Sequence, residues 1–114
     1  MTLESMLSRS GALEPEADKV TGRAGAVDRG TVVEVHLCIR GGVVEEARFL
    51  AFGAPEAFAC AAAACEALTG GSLANVGALS GLAIAQRAGI DRQALAHALV
   101  VEDALQSALA EVQR

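Results

Sequence analysis

From Thr31 to Arg40 the chain reads TVVEVHLCIR, in which Val33, Val35, Leu37 and Ile39 alternate with Glu34, His36, Cys38 and Arg40. Apolar residues at every second position predict a strand with one buried face, because successive side chains of an extended backbone point to opposite sides. Gly41-Gly42 supplies the positive φ of a tight hairpin, and VVEEARFLAF returns as the antiparallel partner. A third strand near Val20 to Ala26 completes a meander. After Pro55 the period becomes helical. Pro55 suits the first helical position, where no intrahelical bond is lost, and Gly70-Gly71 suits the helix end. Phe58, Ala61, Ala62, Cys65 and Leu68 are expected to form its buried stripe, mostly methyl-sized and able to lie close to the sheet. Ser72 is expected to cap a short turn to Val76, GALSGLAIAQRAG to form a further helix ending at Gly89, and Asp91 to cap a last helix running to about Gln113.

Strands first and helices afterwards predict an α+β fold: a small antiparallel three-stranded meander with helices packed mainly on one face. The 114 residues, 53% hydrophobic, suffice for one core and are too few for two, so residues 1–114 are expected to form a single domain. Residues 1–20 are polar, with Gly11 and Pro15 as breakers; a loosely ordered segment is expected there, with room for a short helix at Leu3 to Ser8.

Charge and aromatic content narrow the function. A formal net charge of −5 without a basic run argues against nucleic-acid phosphates and anionic lipid as partners, and three Phe with neither Trp nor Tyr leave few platforms for base stacking. A protein partner or a small ligand fits better. The first twenty residues contain acidic side chains and no continuous apolar core, so neither a secretory signal nor a membrane span is expected, and the cytoplasm follows. Three cysteines, Cys38, Cys60 and Cys65, are an odd number in such a chain and are expected to be reduced thiols, each a small hydrophobe first.

Those thiols and two histidines invite a metal. Cys60 and Cys65 are five apart, roughly 140° around a regular helix, and cannot chelate one ion from it. His36 and Cys38 share one strand face and are a weak candidate for a soft ion. CxxC, HExxH, a phosphate-cradling glycine loop and a nucleophile elbow are all missing, and Gly25, Gly30, Gly41 and Gly42 read as turn residues. His97, two turns into the expected last helix, has Glu102 and Asp103 five and six positions on, facing elsewhere, so no acid–base dyad is expected.

Three strings taken together are more specific than any motif. GGVVEEARFLAFGA resembles the hairpin and aromatic-Gly-Cys corner of the U-type iron–sulfur cluster scaffold proteins, IscU and the N-terminal domain of NifU. CEALTGGSL is similar to that family's helix end with Gly and Ser, and VVEDALQSALAEV to its final helix. The resemblance runs from about Gly22 to the C-terminus. It implies iron–sulfur cluster assembly, in which three cysteine thiolates and an aspartate surround a [2Fe–2S] or zinc centre, soft thiolates sharing the charge of the metal.

Against the family pattern, Arg29 stands at the first cysteine, Thr31 at the aspartate, Ala54 at the second cysteine and His97 at the third. Of these positions only His97 keeps a coordinating atom, and the guanidinium of Arg29 repels cations while attracting carboxylates. The resemblance therefore implies a degenerate scaffold: a non-enzymatic interaction or regulatory module that holds no cluster or other cofactor. The alternative is an iron–sulfur cluster or zinc carrier of altered ligation, using His97 with Cys60 or Cys38 or with ligands from a second copy in a homodimer. The implied partner is a cysteine desulfurase or other iron–sulfur machinery. The family's Leu-Pro-Pro-Val-Lys segment for chaperone recognition is replaced by IDRQA, Ile90 to Ala94, so handover to a chaperone is not expected. Without its prolines the last helix is expected to begin earlier and to contain His97.

Overall fold

The computed structural model describes residues 18–26, 28, 30–92 and 95–112. Strands β1 (Asp18–Ala26), β2 (Thr31–Arg40) and β3 (Val43–Gly53) form one antiparallel sheet in the order β1-β2-β3. Helices α1 (Pro55–Leu68), α2 (Leu73–Ala78), α3 (Gly81–Ala88) and α4 (Leu95–Val112) follow. The expected α+β meander is therefore present. The first strand takes in Asp18–Val20, which the sequence had assigned to a loosely ordered start, and the expected helix at Leu3 to Ser8 lies outside the described residues.

Gly41 and Gly42, with φ of 60° and 78°, make the left-handed pair that closes the hairpin between β2 and β3. Ile39 pairs with Val44 but Cys38 with Glu46, so Glu45 is the extra residue of a bulge. Its carboxylate accepts from Arg40 Nε at 3.2 Å. On β2 the alternation read from the sequence is the observed one. Val33, Val35, Leu37 and Ile39 are buried under the helices, while Glu34, His36, Cys38 and Arg40 are half-buried on the other face.

Helix α1 begins at Pro55, as expected, but its buried stripe is shifted. Ala57, Cys60, Ala61, Ala64, Cys65 and Leu68 are buried, whereas Phe58 is 58% exposed and Ala62 only half-buried. The small side chains at 57, 60, 61 and 64 let the helix lie close to its neighbours, and a phenyl ring on that line would hold it off. Phe58 instead meets the ring of Phe49 on β3 edge-on, centroids 5.0 Å apart.

Two helix starts also differ from expectation. Ser72 sits at the N-cap position of α2 without a side-chain cap bond, and the helix runs past Val76 to Ala78. Backbone bonds hold this junction instead: Leu73 N donates to Gly42 O (2.8 Å), Val44 N to Gly71 O (2.9 Å) and Gly70 N to Val44 O (2.7 Å). The next helix begins at Gly81, not at Gly77, because Ser80 Oγ accepts from Ala83 N at 3.1 Å and caps it there; it ends at Gly89 as expected.

The last helix is described from Leu95 and Asp91 is exposed, so His97 lies within the helix as expected, though in its first described turn and not two turns in. Glu102 does face elsewhere: its Oε1 accepts from Gly81 N at 2.6 Å and ties α4 to the start of α3. Helix α4 packs against β1 at Gly22, where an added Cβ would collide with Ala104 O and Ala108 N and come within 2.9 Å of Ala108 Cβ. Gly25, expected in a turn, is inside β1 opposite Val32.

Candidate functional site

The end of the sheet away from the hairpin gathers three segments. Thr31, the first residue of β2, pairs with Gly53, the last of β3, and Ala54 follows as the N-cap residue of α1. The turn needs glycine at 53: φ is 117°, and a Cβ there would collide with Gly30 O and come within 2.9 Å of the same carbonyl carbon. Backbone thus passes over backbone at the corner. Ala54 then turns into the helix with its carbonyl accepting from Ala57 N at 3.0 Å.

Helix α4 brings the third segment. Thr31 Oγ1 and His97 Nδ1 lie 3.4 Å apart, a hydrogen bond across 66 positions of sequence, and Thr31 is only 7% exposed. Two of the four expected positions therefore touch, and Ala54 is one residue beyond the strand partner of Thr31. Arg29 lies outside the described residues; its neighbours Asp28 and Gly30 are exposed.

The chemistry of this donor set is narrow. It offers an imidazole, a hydroxyl and a methyl group, and it contains no thiol. Among the described residues no three of His, Cys, Asp and Glu are grouped so as to hold a metal ion. Three thiolates and a carboxylate suit an iron–sulfur cluster, and this set does not.

The three cysteines, all free, stand elsewhere. Cys38 is seven residues along β2 from Thr31, about 23 Å at the rise of a strand, and points to the opposite face. It cannot join His97 within one chain. Cys60 and Cys65 are buried in the core side of α1. Burial pushes the Cys60 thiol up, with the Glu56 carboxylate adding to it, and burial pushes Cys65 up to about 11. Both are neutral thiols at physiological pH, poor in the thiolate that binds soft metals.

His36 and Cys38 share the open face of the sheet, as their spacing implied. His36 is engaged by Thr21 Oγ1 at 3.2 Å through Nδ1 and by Glu34 Oε1 at 3.4 Å through Nε2, while Arg48 pairs with Glu46 at 2.6 Å. A shallow cavity of about 310 Å³ lies over Lys19, Thr21, His36 and Cys38.

Residues 8–114 match the family described as the NifU-like N terminal domain. The chain belongs to that family. It is also 42% identical over 65 residues to the nitrogen fixation protein NifU of Cereibacter sphaeroides, a stretch that covers 57% of this chain and 26% of that protein. The NifU-like resemblance carried by the hairpin, corner and final-helix strings is thereby confirmed, and the matched stretch spans about a quarter of that relative. No helix among the described residues of this NifU-like domain is long and apolar enough to cross a membrane.

What the sequence did not reveal is the Thr31–His97 contact and the two tight glycines, Gly22 and Gly53, as places of close backbone approach. Only Gly53 left a signal, in the Gly-Ala-Pro bend between a strand pattern and a helix pattern.

Proposed function

We propose that this NifU-like domain acts in iron–sulfur cluster assembly as an interaction or regulatory module that does not itself hold the cluster. The observation that carries this reading is the corner itself. Thr31, Gly53-Ala54 and His97 meet at the end of the sheet, and a hydroxyl, a methyl and an imidazole stand where the resemblance places the family's ligands. We assign it no enzymatic step, place it in the cytoplasm, and take its partner to be a cysteine desulfurase or another protein of the iron–sulfur machinery. Family membership supports the process; the donor set supports the loss of ligation.

The test is purification without oxygen, followed by measurement of iron, zinc and acid-labile sulfide and by an attempted reconstitution with iron and sulfide. A colourless product without stoichiometric metal is expected. Thiolate-to-iron absorption bands in stoichiometric yield would overturn the reading. Capture of a cysteine desulfurase by the immobilised domain tests the partner.

A carrier of altered ligation is the second reading, and His97 is what favours it, since Thr31 engages Nδ1 and leaves Nε2 as the remaining ring nitrogen. With Cys38 distant and Cys60 buried, its other ligands would come from a second copy. Metal uptake that requires dimerisation and is abolished by His97→Ala is the result this reading expects; uptake unchanged by His97→Ala removes it.

A further inference from the structure

We infer that Thr31 holds His97 in the tautomer carrying its proton on Nε2, so that the corner presents a hydrogen-bond donor where a metal site would present a lone pair. The inference deepens the reading of the corner as a site whose ligating power is gone, and it rests on that reading only for its functional meaning.

Thr31 is the one buried polar residue among those described, and a hydroxyl shielded from water needs an acceptor for its single hydrogen. Among the described residues its side chain has one hydrogen-bond partner, His97 Nδ1. Were Nδ1 protonated, it would donate to Oγ1, and the hydroxyl hydrogen of the 7% exposed Thr31 would be left without an acceptor among the described residues. Donation from Thr31 to an unprotonated Nδ1 satisfies both atoms. A neutral imidazole carries one proton, so Nε2 then bears it.

The two ring nitrogens are directed apart, and Nε2–H therefore points away from Thr31. To ligate a cation through Nε2 the ring must first move that proton to Nδ1, giving up the hydrogen bond that Thr31 donates. An acceptor oxygen needs no such exchange. Thr31 is in this sense a positioning residue: it acts on a ligand through the imidazole and does not touch the ligand itself.

Long-range proton–nitrogen NMR correlation on the metal-free, nitrogen-15-labelled chain reads the tautomer directly. The spectrum is recorded at a pH about two units above the ordinary imidazole value, and His36→Gln separates the signals of the two histidines. The expected pattern for His97 is an unprotonated Nδ1 and a protonated Nε2. In Thr31→Val the nitrogen shifts are expected to move toward the tautomer mixture of a histidine side chain free in water, and in Thr31→Ser to return. A protonated Nδ1 in the unmodified chain overturns the inference, whatever the variants do, as do shifts unchanged by Thr31→Val in a chain whose amide spectrum shows it folded. The measurement needs no metal or partner, so its failure leaves the result of the reconstitution standing, and successful reconstitution would remove the functional reading without touching the tautomer.

Discussion

Replacing Gly53 by alanine puts a methyl group where the Gly30 carbonyl passes, in a residue whose φ is 117°. Two costs add. A non-glycine residue in such a sparsely populated region costs about 1–3 kcal/mol, and forcing an atom into an occupied contact typically costs about 1–3 kcal/mol more. The sum, near 4 kcal/mol, is a large part of the roughly 5–15 kcal/mol that holds a small domain folded. With a urea slope of about 1–3 kcal/mol/M, the unfolding midpoint should fall by more than about 1 M. Gly70→Ala is the control, since Gly70 has a φ of 86° with open space around it and so carries the conformational cost alone. Urea denaturation of the three proteins, followed by far-ultraviolet circular dichroism, separates the two terms. If Gly53→Ala loses no more stability than Gly70→Ala, the close passage of backbone over backbone at the corner is refuted.

Other changes test other parts of the fold. Cys65 has its folded pKa raised from 9.0 to about 11, so the folded state binds the proton more tightly; its stabilising contribution is complete below about pH 9 and is lost as pH climbs toward 11. That loss should reach about 2–3 kcal/mol, and the Cys60 thiol, also pushed up by burial, adds to the decline in the same direction. Cys65→Ala should flatten the decline in urea midpoint between pH 9 and 11. Phe58→Ala should cost only about 0.5–1.5 kcal/mol, the worth of an edge-on ring pair, and a loss of 3 kcal/mol or more in thermal or urea unfolding would place Phe58 in the core after all. Glu102→Ala removes the acceptor of Gly81 N and should cost about 1–3 kcal/mol, with Glu102→Gln recovering part of it in the same assay.

The sheet was legible because its signal is local. The alternation over Thr31–Arg40 and the Gly41-Gly42 turn fix two strands and their pairing, and only the bulge at Glu45 escaped, since one extra residue beside a turn leaves the apolar pattern intact. The stripe of α1 was misplaced for a physical reason. In an alanine-rich helix several faces are apolar, and a stripe drawn through the largest side chain loses to one through the smallest because close packing favours small residues. Likewise a helix start inside GALSGLAIAQRAG is decided by one hydroxyl, that of Ser80, and two glycines can stand before it or after it. Of the candidate site, the bend at Gly53-Ala54 could be read from the chain and the positions of Thr31 and His97 from the family strings. Those strings imply that the two positions converge on one centre; that they bond directly could not be read, because nothing in either neighbourhood reports a hydrogen-bond partner 66 positions away.

The packing of α4 on β1 at Gly22 joins the two ends of the described chain. An edge strand that gains its cover from α4, made far later than β1, has no stable resting place while the ribosome is still reading the middle of the message. The sheet can zip as a hairpin early, yet closure of the whole must wait for long-range contact, which slows folding. Loss of even a few turns from α4 should therefore unfasten the first strand, far from the cut.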